Sequence, residues 1–389
     1  MTRTDTTFSP PIPEAYRWLD GVDFAADRPL MNVSQAAPVE APPRALREAM
    51  AQAVLDDPAA HLYGPVLGLP ALREELAART SRHYGGSVTT ADVAITSGCN
   101  EAFAAAMLTL TDEGDEVILP TPWYFNHKMW LDMAGVRAVP LLTGPDLLPD
   151  PEAAAALIGP RTRAIAIVSP NNPAGVEYPP ALLRALYDLA KARGIALVLD
   201  ETYRDFHSSP DAPHDLFTDP DWRDTLIHLY SFSKAYRLTG HRVGALITSP
   251  ARLNEVEKFL DTVTICPAQV GQIGALWGLR NLDGWLAGER AEILARRAAM
   301  QEGFDALAGK GWALKGLGAY FAYAEHPFDM PSDDLARQLV REAGILLLPA
   351  TMFVPEDDAH GTRHLRIAFA NLDRDGIAGF FDRLTGLSF

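Results

Sequence analysis

The chain has 389 residues, 48% of them apolar and 22% charged, which suits a globular protein with a full core and argues against a disordered or fibrous one. Fifty acidic against 34 basic residues give a formal charge of −16, which repels nucleic acid and an anionic membrane surface alike. Two cysteines, Cys99 and Cys266, cannot build a disulfide framework, and neither sits in a zinc-binding spacing, so no metal site is expected.

In chain order, residues 1–45 are rich in proline (Pro10, Pro11, Pro13, Pro38, Pro42, Pro43) and read as an arm without a long helix. This start lacks an apolar targeting core, and the stretch around Ala102 to Leu110 is too short to span a bilayer, so a cytoplasmic protein is expected. An amphipathic helix pattern, ALREAMAQAVL, then leads to the Gly/Pro-rich loop HLYGPVLGLP and a second helix pattern, ALREELAARTSRHYG.

Between residues 93 and 248, β-rich runs (VAIT, EVILP, VRAVP, AIAIVS, IALVLD, LIHLYS, VGALIT) alternate with helical ones such as EAFAAAMLTL and PALLRALYDLAKARG. That alternation predicts an α/β fold with a mostly parallel sheet, whose ligands gather at the carboxyl ends of the strands. After about residue 280 a long charged helix, short strands near Tyr320 and Ile345, a helix over 333–343 and the strand HLRIAFAN predict a smaller α+β domain. The expected division is 1–45 as the arm, joined to the smaller domain, 46–280 as the large domain and 281–389 as the small one.

Four segments at strand ends carry chemistry-bearing residues. LYSFSKAYRLTGHRVG brings Ser231, Lys234 and Arg242 into one loop of a chain with only six lysines. IALVLDETYRDF ends a buried-type strand on Asp200, with Tyr203 three residues on; SPNNPAG supplies Asn172; TSGCNEAF supplies Ser97, Gly98, Cys99 and the amides of a helix start, which suit a phosphate. Each also has a plainer reading: solvated surface charges, a helix cap or turn former, an Asn-Pro turn, an ordinary helix start.

Taken together and in this order, the segments resemble the class I/II aminotransferases of the aspartate aminotransferase superfamily, from about Leu62 to the C-terminus. The resemblance implies pyridoxal 5′-phosphate as cofactor and fold type I, with a seven-stranded large-domain sheet. It makes Lys234 the amine that holds the cofactor as a Schiff base and then shuttles a proton. Asp200 becomes the partner of the pyridine nitrogen, and Asn172 and Tyr203 the partners of the phenolate oxygen. Ser97, Gly98, Cys99, Ser231 and Arg242 would hold the phosphate. Tyr124 in TPWYFNH would stack on the ring, with Trp123 as the competing position. Tyr63 would reach a partner subunit's phosphate, so a homodimer is implied. Arg366 in HLRIAFAN would pair with the substrate carboxylate, beside Asn172 and the segment around Gln35 and Ala36, where the family's usual glycine is not obvious.

One departure bears on specificity. A lysine that many aspartate-specific members carry just after the phosphate-loop glycine falls on Cys99 here, and Trp123, Tyr124, Phe125 and Phe353 lie near the expected mouth. A neutral or aromatic amino acid, exchanged with a 2-oxo acid, is therefore expected over aspartate. The same residues also serve carbon–sulfur β-lyases, cyclases and decarboxylases, and a catalytically idle regulatory relative is a further alternative.

Overall fold

The computed structural model describes residues 2–387. Seven strands form the main sheet: β1 (Val93–Thr96), β2 (Glu116–Thr121), β3 (Arg137–Leu142), β4 (Thr162–Val168), β5 (Ala196–Asp200), β6 (Leu226–Ser231) and β7 (Gly244–Ile247). Their order is β1-β7-β6-β5-β4-β2-β3. Only β7 runs against its neighbours β1 and β6; the other pairs are parallel. Apart from the edge strand β3, the strands are buried almost end to end, which explains apolar runs such as IALVL that show no alternation.

Helices cover both faces. Leu183, Leu186 and Tyr187 of the helix Pro180–Arg193 join one apolar cluster, and Ala102, Phe103 and Ala106 of the helix Cys99–Leu108 join another on the opposite side. Pro180 starts the first of these helices where a missing N–H costs nothing, and Gly194, at φ 64°, ends it.

A second, antiparallel sheet is built from β8 (Ala313–Gly318), β9 (Phe321–Glu325), β10 (Leu348–Pro349) and β11 (His364–Ile367), in the order β10-β11-β9-β8. The 25-residue helix Asp283–Leu307 packs against it through Met300, Phe304 and Leu307. Among the described residues no helix is long and apolar enough to cross a membrane.

Three details depart from the expected elements. The proline-rich arm holds a short helix, Pro11–Arg17, whose two prolines sit in the first turn, where no intrahelical donor is lost. The arm then joins the smaller sheet region: Met31–Asn32 pairs in parallel with Ile345–Leu346, and Val33 is fully buried there. HLRIAFAN is a strand only as far as Ile367; Phe369–Asn371 turns away as a 3-10 helix.

Candidate active site

The carboxyl ends of β4, β5 and β6 lie side by side in the centre of the sheet, and with the turn after β1 and the arm they enclose a cavity of about 540 Å³. Its lining includes Lys234, Asp200, Tyr203, Asn172, Ser231, Arg242, Tyr124, Cys99 and Arg366, together with Gln35 and Ala36. Segments up to 331 residues apart in sequence thus converge on one space, where an open α/β sheet places its ligands.

Among the described residues three cations face this cavity without a carboxylate of their own, Lys234, Arg366 and, at the far end, Arg242. Lys234 Nζ donates to the carbonyl oxygen of Ala36 at 2.5 Å and lies 5.9 Å from the centre of the Tyr203 ring. Burial, with the positive charges of Arg242 and Arg366, draws its pKa down to about 8. Arg366 is only 2% exposed; it donates to Asn172 Oδ1 at 3.3 Å and to the carbonyl of Ser34, while its buried Nε has no partner. Burial lowers its pKa to about 10, against the pull of the Tyr203 and Tyr124 hydroxyls. Its guanidinium carbon sits 4.9 Å from the ring centre of Phe353 and 5.3 Å from that of Phe321, so packing fixes the fork's direction.

Asp200 supplies the negative counterpart. It is 3% exposed, and its carboxylate accepts the Thr202 amide at 2.9 Å and lies 3.4 Å from His127 Nε2. Burial raises its pKa, but His127 and Thr202 outweigh that penalty and hold the carboxyl below the ordinary range. His127 is itself clamped flat against Phe103, with ring centres 3.8 Å apart and planes 9° off parallel. Burial pushes the phenol of Tyr203 well above its usual value, so it enters the site as a neutral hydroxyl.

At the other end of the cavity, Gly98 caps the helix Cys99–Leu108 at φ 91°. The first amides of that helix have no acceptor within it. A side chain on Gly98 would collide with the Arg242 guanidinium, and one on Gly244 would come within 2.7 Å of the Cys99 amide. Arg242 is steered by bonds to the carbonyls of Thr239 at 3.0 Å and Ser97 at 3.5 Å. A guanidinium beside a helix N-terminus is a cradle for a phosphate group.

Three expected residues lie off the cavity. Ser97 and Gly98 form its backbone shoulder: the Ser97 amide is taken by the Glu101 carboxylate, and the Ser97 carbonyl faces Arg242. Tyr63 is 81% exposed, beside Leu62, Cys266 and Gln269 in a separate surface hollow. Of the two aromatic candidates, Tyr124 lines the cavity, held by Asn126 Nδ2 at 2.9 Å, whereas Trp123 is 5% exposed and packs in the core. Phe125 lines the mouth, and Phe353 packs behind it, fully buried, with ring centres 5.4 Å apart and planes tilted by 50°.

The structure adds residues that the motifs did not single out. Asn100, Thr202, Ser233 and Thr239 line the cavity, and Pro10, Ile12 and Pro13 of the arm close its mouth. Asn371 latches the covering segment, donating to the Gln35 carbonyl at 2.7 Å and accepting from the Ala37 amide at 3.4 Å. His127 and Asn371 both stand in quoted segments, TPWYFNH and HLRIAFAN, but nothing local marks either as more than a turn residue.

These residues fit pyridoxal 5′-phosphate. Lys234 offers an amine of low basicity, the Gly98–Arg242 cradle suits the phosphate, Asp200 suits a protonated ring nitrogen, and the orphaned Nε of Arg366 awaits an anion. The fold and site together define a cofactor-dependent α/β enzyme of fold type I. Residues 28–384 match the model of the aminotransferase class I and II family, to which the chain belongs; its members are pyridoxal-phosphate-dependent transaminases. An aromatic aminotransferase of Arabidopsis thaliana is 29% identical over 361 residues, spanning 88% of this chain and 85% of that protein. The aspartate/prephenate aminotransferase of Thermus thermophilus is 30% identical, covering 80% of each. A solved structure of a single mutant of Thermus thermophilus aspartate aminotransferase superposes with a TM-score of 0.87 at 26% identity, over 99% of this chain and 98% of that one.

Proposed function

We propose that the chain transfers an amino group between a neutral or aromatic L-amino acid and a 2-oxo acid, with Lys234 as the amine that binds the cofactor and moves the proton. The observation that carries this reading is the isolation of Lys234: a half-buried amine in the cavity that donates to a backbone carbonyl and, among the described residues, has no acid partner, its pKa drawn down to about 8. Such an amine is available as a nucleophile and proton carrier close to neutral pH.

Pyridoxal phosphate, when bound, supplies the electron sink that lets the Cα proton leave and stores the amino group between the two half-reactions. Arg242, the first-turn amides of Cys99 and Asn100, and Ser231 would hold its phosphate. Asp200, backed by His127, would keep a proton on the ring nitrogen; Asn172 and Tyr203 would donate to the phenolate oxygen; Tyr124 would pack against the ring. Arg366 takes the substrate carboxylate and thereby orients Cα toward Lys234 Nζ. Gln35 and Ala36, latched by Asn371, exclude water above it.

The choice of substrate rests on the mouth. Its walls are Pro10, Ile12, Pro13, Phe125 and Tyr124, with the amides of Asn100 and Asn126, and among the described residues of this chain it offers no cation beyond Lys234, Arg242 and Arg366. A second, distal carboxylate would meet no charge, while an apolar or aromatic side chain would bury its surface. In the same reading residues 46–280 form the cofactor-holding domain, and 281–389 with the arm form the smaller one. A homodimer completes the site through Tyr63, in line with the cluster of exposed apolar residues at Leu55, Leu62 and Tyr63, exposed by 78%, 65% and 81%.

An absorbance spectrum of protein with pyridoxal phosphate, wild type against Lys234→Ala, tests the reading. Only wild type is expected to show the visible band of covalently held cofactor, and phenylalanine or methionine should bleach it with release of the matching 2-oxo acid. A band that survives Lys234→Ala, or ammonia in place of transferred nitrogen, overturns it.

A further inference from the structure

Gly98 stands at the cap position of the helix Cys99–Leu108 and carries no side chain to bond the first turn. An ordinary capping residue would take the amide of the second or third helical position, one of the donors that an anion at this helix start needs. The bare cap keeps those amides open, but it leaves the turn before the helix without its usual brace.

Glu101, the third residue of the helix, supplies a brace from behind. Its Oε2 accepts the amide of Ser97, one residue before the cap, and its Oε1 accepts the Thr264 hydroxyl. The first of these bonds is half of a capping box moved back by one residue, and it uses none of the first-turn amides. Ser97 is thereby pinned on both sides, since its carbonyl faces Arg242 Nη2 at 3.5 Å. Thr96 Oγ1 closes the same turn by donating to the Gly98 carbonyl at 3.0 Å.

The second bond anchors the brace 163 residues away in sequence. Thr264 ends the helix Pro250–Val263, and its amide donates to the Leu260 carbonyl at 2.9 Å. The next residue, Ile265, sits at φ 65°, a conformation that costs a β-branched side chain energy and persists only where its neighbours hold it. Cys266 then accepts the Gly64 amide on Sγ at 3.3 Å, so the anchor is itself tied to the loop that carries Tyr63.

We propose that Glu101 is a positioning residue for the cofactor's phosphate: by bridging the Ser97 amide and the Thr264 hydroxyl it holds the Gly98 turn and Arg242 in the geometry a phosphate needs. The inference rests on the reading that Arg242 and the first-turn amides hold that phosphate. Glu101 does not line the cavity and acts through the turn alone. Its hydrogen bonds, not its charge, do this, because a second negative charge near a bound phosphate opposes it.

The test compares pyridoxal phosphate with pyridoxal, which has the same ring and aldehyde but no phosphate, in equilibrium titrations of the cofactor-free full-length chain followed by visible absorbance. Wild type is expected to prefer the phosphorylated form. Glu101→Ala should weaken pyridoxal phosphate about 10-fold, an ordinary strength of coupling, and leave pyridoxal unchanged. Thr264→Val removes one donor at nearly constant shape and should act in the same direction, which decides the matter even where the alanine variant does not fold. Glu101→Gln can still accept from Ser97 with its amide oxygen and donate to Thr264 with its amide nitrogen, so it should bind at least as tightly as wild type. Alanine and valine variants that keep wild-type affinity, or that weaken both forms equally, overturn the proposal, as does a glutamine variant that falls with the alanine one. Equal affinity of wild type for the two forms would refute the phosphate cradle itself, and the proposal with it.

Discussion

Lys234 Nζ donates a hydrogen bond to the carbonyl oxygen of Ala36, 2.5 Å away, so the reactive amine is tied to the arm that covers it. A carbonyl takes a proton from the amine but supplies no negative charge, and burial keeps the pKa near 8 against an ordinary 10.5. Between those two values the unfolded chain binds a proton that the folded one does not, so folding becomes more favourable as pH rises from 8 to 10.5. The cofactor-free protein should gain up to about 3 kcal/mol over that window relative to Lys234→Met. Urea unfolding of both proteins at pH 7 and pH 10.5 measures it; parallel behaviour would mean that Lys234 is solvated.

Arg366 is a fork held by stacking and by the Asn172 side chain, with its Nε left unmatched. Arg366→Lys keeps a charge but loses the planar pair of donors. The expected result is a rise of about 10²-fold in KM for both amino acid and 2-oxo acid, since a charged hydrogen bond is worth roughly 1.5–3 kcal/mol. Steady-state kinetics with both substrates decide it: an effect confined to kcat would assign Arg366 a different role.

Gly98 combines a left-handed φ of 91° with the close approach of Arg242. Gly98→Ala must strain the backbone and push the guanidinium away from the helix start. Pyridoxal phosphate affinity should drop by at least about 10-fold, the equivalent of 1.4 kcal/mol, and added inorganic phosphate should no longer compete with it. Fluorescence titration of the cofactor-free protein gives both numbers.

How far the sequence carries the argument varies by element. The alternation of apolar runs with helix patterns is local, and the parallel sheet follows from it; the reversal of β7 is not local, because VGALIT reads like any other buried strand. Lys234, Asp200, Asn172 and Arg242 were legible because each sits at or just past a strand end in an ordered set of motifs, and Arg366 because it stands within the strand motif HLRIAFAN; the structure brings all five to one cavity. His127 and Asn371 were not, since their roles arise only when a helix and a turn from distant segments meet Asp200 and the arm. Pro10, Ile12 and Pro13 escaped for the opposite reason: prolines that argue against a long helix also permit the short one that closes the mouth.

Glu201 follows Asp200 and points to the other side of the strand end, into the core. Its carboxylate, 1% exposed, accepts from the Tyr84 hydroxyl and from His228 Nε2 at 2.7 Å, with His214 at 3.4 Å. The guanidinium of Arg204, 3.9 Å from the centre of the Tyr230 ring, supplies a nearby positive charge. Burial works to raise the pKa of Glu201, but His214 and His228 prevail and hold it well below the ordinary 4.5. Glu201→Gln removes the buried charge that accepts from Tyr84 and His228 and one of the two carboxylates, with Asp205, that face Arg204, and should cost about 3–5 kcal/mol at pH 7. Because the native pKa is depressed, that difference persists above about pH 4.5 and narrows as the pH falls below it. Denaturant midpoints of wild type and variant at pH 7 and pH 4 provide the comparison. A variant within about 0.5 kcal/mol of wild type at pH 7, the range of an ordinary surface substitution, would show that the cluster does not depend on the carboxylate's charge.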